Sequence, residues 1–116
     1  MTPEALAKKM AAALDGMKAL DIQILDVRSL TTMTDFMIIA SGRSDRHVKS
    51  LAQNILETAR DEGVPTQGVE GQEQGEWILI DLGDVIMHIM HPSTRAYYQL
   101  EKLWSDKPAT GIRATR

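Results

Sequence analysis

Four groups of side chains in this chain are of types that do chemistry, and each also has a purely structural explanation. Ser41-Gly42-Arg43-Ser44 joins an apolar run to the start of a helical pattern, where free backbone amides can hold an anion. The stretch lacks the glycine spacing and the Lys-Ser/Thr pair of a Walker loop, and a tight turn closed by Ser44 as helix cap is the better account of it. Asp26, Asp35, Asp81 and Asp84 lie near the ends of strand-like runs. Two-metal transfer chemistry needs carboxylates that converge on ions about 4 Å apart, and no Asp-x-Asp or Asp-x-Glu pair follows the Gly-Arg-Ser turn. Asp81 and Asp84 flank a turn, where aspartate commonly bonds its own backbone. His88 and His91 are three apart on a strand leaving for a helix and point to opposite faces; with His47 in the first turn of another helix, neither a zinc set nor a Ser–His–Asp arrangement follows. Arg95 stands near the start of the last helix and suits a structural ion pair. The expectation is a non-enzymatic domain with no cofactor and no metal site.

These residues hang on a β-hairpin. Two β-rich runs, Trp77–Leu82 and Val85–Met90, flank Gly83-Asp84, the signature of a two-residue turn. Alternation places Ile78, Ile80 and Leu82 against Ile89, Met87 and Val85 on one wholly apolar face. The other face carries Trp77, Leu79 and Asp81 with Ile86, His88 and Met90. A solvated face should turn polar, and this one does not. Either helices cover both sides of the sheet, or part of this face is a partner surface, an apolar patch beside a charge. Both hold if only one end is covered.

Elsewhere, 3–19 reads as a helix capped by Thr2 with Pro3 at its first position and a stripe of Leu6, Met10, Ala13, Leu14 and Met17. Ile22–Val27 reads as a strand, and Phe36–Ala40 as a strand buried on both faces. Ser44 caps a long helix over 45–62 with apolar residues from Val48 to Ala59 at helical spacing, ended by Gly63 and Pro65. Thr66–Val69 reads as a short strand. Ser93 is expected to cap a last helix with Ala96, Tyr97, Leu100, Leu103 and Trp104 on one side. The order predicts an α/β fold: a mixed β-sheet of about five strands with flanking helices. One domain spans 1–106, and 107–116 reads as a disordered tail.

At 116 residues the chain is long enough for a real core. It holds no apolar run of about 18 residues for a membrane span and no visible secretory signal. It has no cysteine, which excludes disulfides and fits a reducing compartment, so a cytoplasmic location is expected. Thirteen basic and 16 acidic residues leave a net charge of −3. The basic residues are dispersed apart from Arg43, Arg46 and Lys49. That balance argues against direct sequence-specific binding of nucleic acid and suits a basic protein partner.

Several motifs together resemble the ribosomal silencing factor family, also called Iojap-like proteins. They are Thr34-Asp35-Phe36-Met37-Ile38-Ile39-Ala40-Ser41-Gly42, Ser44-Asp45-Arg46-His47-Val48, Gly68-Val69-Glu70-Gly71, the Trp77–Met90 hairpin, and Arg95-Ala96-Tyr97-Tyr98-Gln99-Leu100-Glu101-Lys102-Leu103-Trp104. They run in order over roughly 5–105. The resemblance implies a nucleotidyltransferase-like fold without the catalytic carboxylates. It also implies a factor that binds ribosomal protein L-fourteen on the large ribosomal subunit, sterically blocks joining of the small subunit when nutrients are short, and is often a homodimer when free. It maps the docking surface onto Trp77, Leu79 and Asp81, with Asp84, His88 and Tyr98 as neighbours. The alternatives are residual nucleotide binding or nucleotidyl transfer with Ser41–Ser44 as the phosphate cradle, and large-subunit assembly through the same surface. His91-Pro92-Ser93-Thr94 departs from relatives that often carry an acidic residue before the arginine, and the tail after Asp106 lies outside the resemblance.

Overall fold

The computed structural model describes residues 1–105, so the expected tail lies outside the described residues. Thr2 accepts a hydrogen bond from the Ala5 amide (3.0 Å) and opens helix α1, Pro3–Gly16. The helix stops short of 19 because Lys18 takes a left-handed φ of 63°. Strand β1, Leu20–Asp26, follows, with a bulge between Leu20 and Gln23. Strand β2, Phe36–Ser41, is buried at every residue, and helix α2 covers Asp45–Asp61. Three strands come next: β3, Gly68–Glu70; β4, Trp77–Asp81; and β5, Val85–Met90. β3 begins two residues beyond the expected start, because Thr66 is exposed and outside the ladder and Gln67 makes only a single bond to the Asp81 carbonyl.

The sheet order is β1-β2-β5-β4-β3. β2 and β5 are parallel and every other neighbouring pair is antiparallel, so the sheet is mixed as expected. In the hairpin Ile78 lies opposite Ile89 and Ile80 opposite Met87, and on the other face Trp77 opposes Met90, Leu79 His88 and Asp81 Ile86. The Leu82 amide donates to the Val85 carbonyl across the turn (2.9 Å), where Gly83 has φ +87°. A side chain there would be strained and would meet Gln67. The Asp84 carbonyl accepts from both Asp35 and Phe36, which hooks the turn to the start of β2.

Helices α1 and α2 cover one face of the sheet. Leu6, Met10 and Leu14 of α1 and Val48, Leu51 and Ile55 of α2 pack with Ile38, Ile78, Ile80, Met87 and Ile89. The second face holds a smaller core of Leu25, Val27, Met37, Ile39, Met90 and Leu100, with Leu30 and Trp77 against it. This face is therefore covered around Leu25, Met37, Ile39 and the end of β5, and left partly open over β4. Coverage accounts for its apolar character at one end, while the other end stays partly open. Among the described residues no helix is long and apolar enough to cross a membrane.

The C-terminal helix differs from expectation. His91, not Ser93, is the cap: its Nδ1 accepts from the Ser93 amide (3.3 Å), and Pro92 takes the first helical position. Helix α3, Pro92–Tyr98, then breaks at Gln99, whose φ is 51°, before α4, Leu100–Ser105. The break separates the expected stripe. Leu100 reaches the core while Tyr97 and Leu103 stay exposed.

Candidate functional site

The open end of the second face is built from strand alternation. On β4, Ile78 and Ile80 are buried beneath α1 and α2, so Trp77, Leu79 and Asp81 must project from the other side, where each is half-buried. Trp77 donates its indole N–H to Nδ1 of His88 (2.9 Å). Tyr98, at the end of α3, lays its ring 4.9 Å from the Trp77 ring, and Tyr97 meets Tyr98 edge-on. Tyr98 remains 52% exposed. The result is an aromatic ledge with Leu79 beside it.

His88 lies beneath this ledge at 7% exposure. Its burial lowers its pKa from the ordinary 6.5 to about 4, and protonation at Nδ1 would also evict the Trp77 donor. The ring is therefore neutral near pH 7 and serves as a fixed acceptor that orients the indole.

The sequence-predicted residues are not all brought together. Trp77, His88 and Tyr98 form one cluster and Leu79 adjoins it across from His88. Asp81 lies four residues along β4 from Trp77, about 13 Å away at strand rise. One of its carboxylate oxygens accepts from the Gly83 amide (2.8 Å), the local turn bond that aspartate commonly makes. Asp84 is exposed in the turn itself, at the end of the hairpin remote from Trp77.

Sequence reasoning missed Glu70. The β3–β4 register sets Glu70 opposite Leu79 on this face, and with Gly71, Trp77 and Leu79 it lines a shallow hollow of about 260 Å³. Gly71 has φ +88°, and a Cβ there would lie 2.0 Å from the Trp77 carbonyl oxygen. The turn depends on the missing side chain. A signal was present, since Gly68-Val69-Glu70-Gly71 alternates like a strand ending in a turn, but it does not reveal which strand is its neighbour.

The other candidates are engaged in structure. In Ser41–Ser44 the Gly42 amide donates to the Met90 carbonyl and the Arg43 amide to His47 Nδ1 (2.9 Å), while Ser44 Oγ accepts from His47 N (3.1 Å). A Cβ on Gly42 would lie 2.9 Å from Val48. This is the capped tight turn, with the amides of Gly42, Arg43 and His47 taken. Asp26 is tied to Arg28, whose hydrogen bond lowers the Asp26 carboxyl below its usual range. Arg95 forms the expected ion pair, to Glu101 at 2.8 Å. Among the described residues no three His, Asp or Glu side chains are grouped to hold a metal ion.

Comparison with known proteins adds the following. The family model described as "Ribosomal silencing factor during starvation" matches residues 1–116. The ribosomal silencing factor RsfS of Bacillus subtilis is 39% identical over 112 residues, 97% of this chain and 95% of that protein. A mouse protein named for mitochondrial assembly of the ribosomal large subunit is 32% identical over 90 residues, 75% of this chain and 40% of its own length. A crystal structure of a Chromobacterium violaceum protein superposes with a TM-score of 0.88 at 42% identity, covering 90% of this chain and 87% of that one.

Proposed function

The chain belongs to the ribosomal silencing factor family, and from that premise we propose that it binds ribosomal protein L-fourteen on the large ribosomal subunit through the open end of its second face. Seated there, it blocks joining of the small subunit by occupying space. The mechanism is steric and needs no turnover; the free protein is a cytoplasmic homodimer.

One observation carries this reading: the second face is packed around Leu25, Met37, Ile39 and Met90 but left open at Trp77, Leu79 and Tyr98, with carboxylates at its margins. Trp and Tyr are the residue types most enriched among interface hot spots. Trp77 is already held by His88 and Tyr98, so less ordering entropy is lost on docking. Glu70 beside the hollow and Asp81 farther along give an acidic margin that suits a partner from a basic particle. The hollow itself is too shallow to enclose a metabolite, which favours a protein partner.

The test is co-sedimentation with isolated large subunits, together with inhibition of subunit joining in a purified translation system. Folded Trp77→Ala and Leu79→Ala variants are expected to lose binding and silencing together, with Trp77→Ala weaker by roughly 30-fold, as a loss of about 2 kcal/mol implies. Asp81→Lys is expected to weaken binding less at high salt than at low salt. Variants at Trp77 and Asp81 that are folded yet bind and silence like the parent would move the docking surface elsewhere. Sedimentation equilibrium of the free protein tests the dimer.

A further inference from the structure

A second concavity on the same face lies toward β1, away from the aromatic ledge. It is a cleft of about 470 Å³ between the bulged start of β1, the end of β2 and the broken α3–α4 segment, with Asp21, Gln23, Ser41, Arg95, Gln99 and Lys102 among its lining residues. Its size falls within the range of small-molecule sites, about 300–1,000 Å³. Neither the proposed docking surface nor steric silencing uses it.

Two buried polar groups on its wall are incompletely satisfied. Arg95 is 6% exposed; its Nε donates to Glu101 (2.8 Å) and its Nη1 to Ser41 (3.1 Å), but Nη2 has no hydrogen-bond partner among the described residues. The Asp21 carboxylate is 3.8 Å from that nitrogen, close enough for ionic attraction and too far for a hydrogen bond. Gln23, 4% exposed, has a buried carboxamide oxygen that likewise lacks a donor among the described residues. Buried polar groups are almost always paired, so one donor and one acceptor left over in the same cleft describe a ligand by its complement.

That complement is an anionic acceptor for Arg95 with an N–H donor beside it for Gln23 and Asp21. Lining charges are balanced, Arg95 and Lys102 against Asp21 and Glu101. A nucleotide would bring several negative charges against Asp21 and Glu101, whereas a zwitterion matches both signs. Leu20, Pro92 and Ala96 supply apolar wall for a side chain. We propose that this cleft is a binding site for an α-amino carboxylate, its carboxylate on Arg95 and its nitrogen on Gln23 and Asp21. A free amino acid supplies both charges, whereas the C-terminal residue of a peptide keeps the carboxylate but carries a neutral amide nitrogen in place of the ammonium.

The experiment is amide-shift titration of the full ¹⁵N-labelled chain with free glycine, leucine and glutamine, with leucinamide, which lacks the carboxylate, and with N-acetyl-glycyl-leucine. Saturable shifts centred on Leu20–Gln23 and Gln99–Lys102 are expected for at least one free amino acid, with leucinamide weaker than leucine by at least roughly tenfold. Saturation by the acetylated dipeptide alone, whose nitrogens are all neutral amides, would overturn the assignment to a zwitterion. Arg95→Lys removes the key donor but risks the fold. Asp21→Asn is therefore the deciding variant: Asp21 is exposed, and asparagine tolerates its φ of 52°. It should keep the parent's melting temperature and bind leucine several-fold more weakly. Equal shifts from leucine and leucinamide, or no saturable shift from any probe up to about 10 mM, would overturn the proposal. So would an Asp21→Asn variant that binds leucine like the parent.

Discussion

Replacing His88 by asparagine should flatten the acid limb of the stability curve. In the fold the imidazole has a pKa of about 4, against 6.5 when free, because burial disfavours the charged ring. Between these values the unfolded chain binds the proton and the folded chain does not, so stability rises with pH across that window. It is complete above about pH 6.5 and falls as the pH drops towards 4. The loss attributable to this one group is roughly 2 kcal/mol at about pH 5 and about 3 kcal/mol below pH 4. Asparagine carries an oxygen close to the position of Nδ1, so it can still accept the Trp77 indole N–H, and it does not titrate. The assay is urea unfolding of both proteins at several pH values from about 8 to 4.5, followed by far-ultraviolet circular dichroism. Taking the difference between the proteins cancels groups they share. The expected result is a gap that closes, or reverses in favour of the variant, by roughly 2 kcal/mol on going from pH 8 to 5. Parallel curves would refute the reasoning, since they would mean that His88 is protonated as readily in the fold as out of it.

The hairpin and its neighbours provide three further checks. Ile80→Ala, on the face under α1 and α2, should cost about 2–5 kcal/mol in the same unfolding assay, whereas Asp81→Ala loses one turn hydrogen bond, about 1 kcal/mol; equal costs would mean the two faces are misassigned. Gly71→Ala combines a positive φ with a collision at the Trp77 carbonyl, so it should lower the melting temperature and shift Trp77 fluorescence, and an unchanged spectrum and stability would show that the turn can move aside. Magnesium with ATP should raise the melting temperature little and yield no transfer product; stabilisation approaching about 2.7 kcal/mol at 100 times the dissociation constant, abolished in Gly42→Val, would instead favour nucleotide binding at Ser41–Ser44.

What was legible in the sequence is what depends on periodicity. The hairpin register follows from the two runs and Gly83-Asp84, and the burial of β2 from five consecutive apolar residues. Pairings between strands distant in sequence were not legible. That β2 lies parallel to β5, and Glu70 across from Leu79, depends on how the sheet is ordered, which no local pattern encodes. The broken C-terminal helix was missed for another reason. Nothing in Tyr98-Gln99-Leu100 is a helix breaker, and the left-handed turn at Gln99 accompanies the burial of Leu100 against the second-face core. For the site, the residue types were readable and the links were not. The odd-numbered face of β4 announced Trp77, Leu79 and Asp81 together, yet the bond from Trp77 to His88 and the stack on Tyr98 appear only once β5 and α3 are in place.

Those links change what kind of surface this is. An isolated exposed tryptophan would sample several rotamers, and each immobilised side chain of that sort costs about 0.5–1.5 kcal/mol when a partner docks. Here that cost is met within the fold, because a buried neutral acceptor fixes the indole and Tyr98 braces its ring. His88 can therefore matter to docking without touching the partner. Its burial makes it a poor contact residue and a good support, and the same burial keeps it uncharged, so the acceptor is present throughout the neutral range. The acidic groups act differently. Asp81 has one oxygen committed to the turn and Asp84 sits at the far end of the hairpin, so in the proposed docking they would steer a basic partner and set its orientation, while the aromatic ledge would supply most of the affinity.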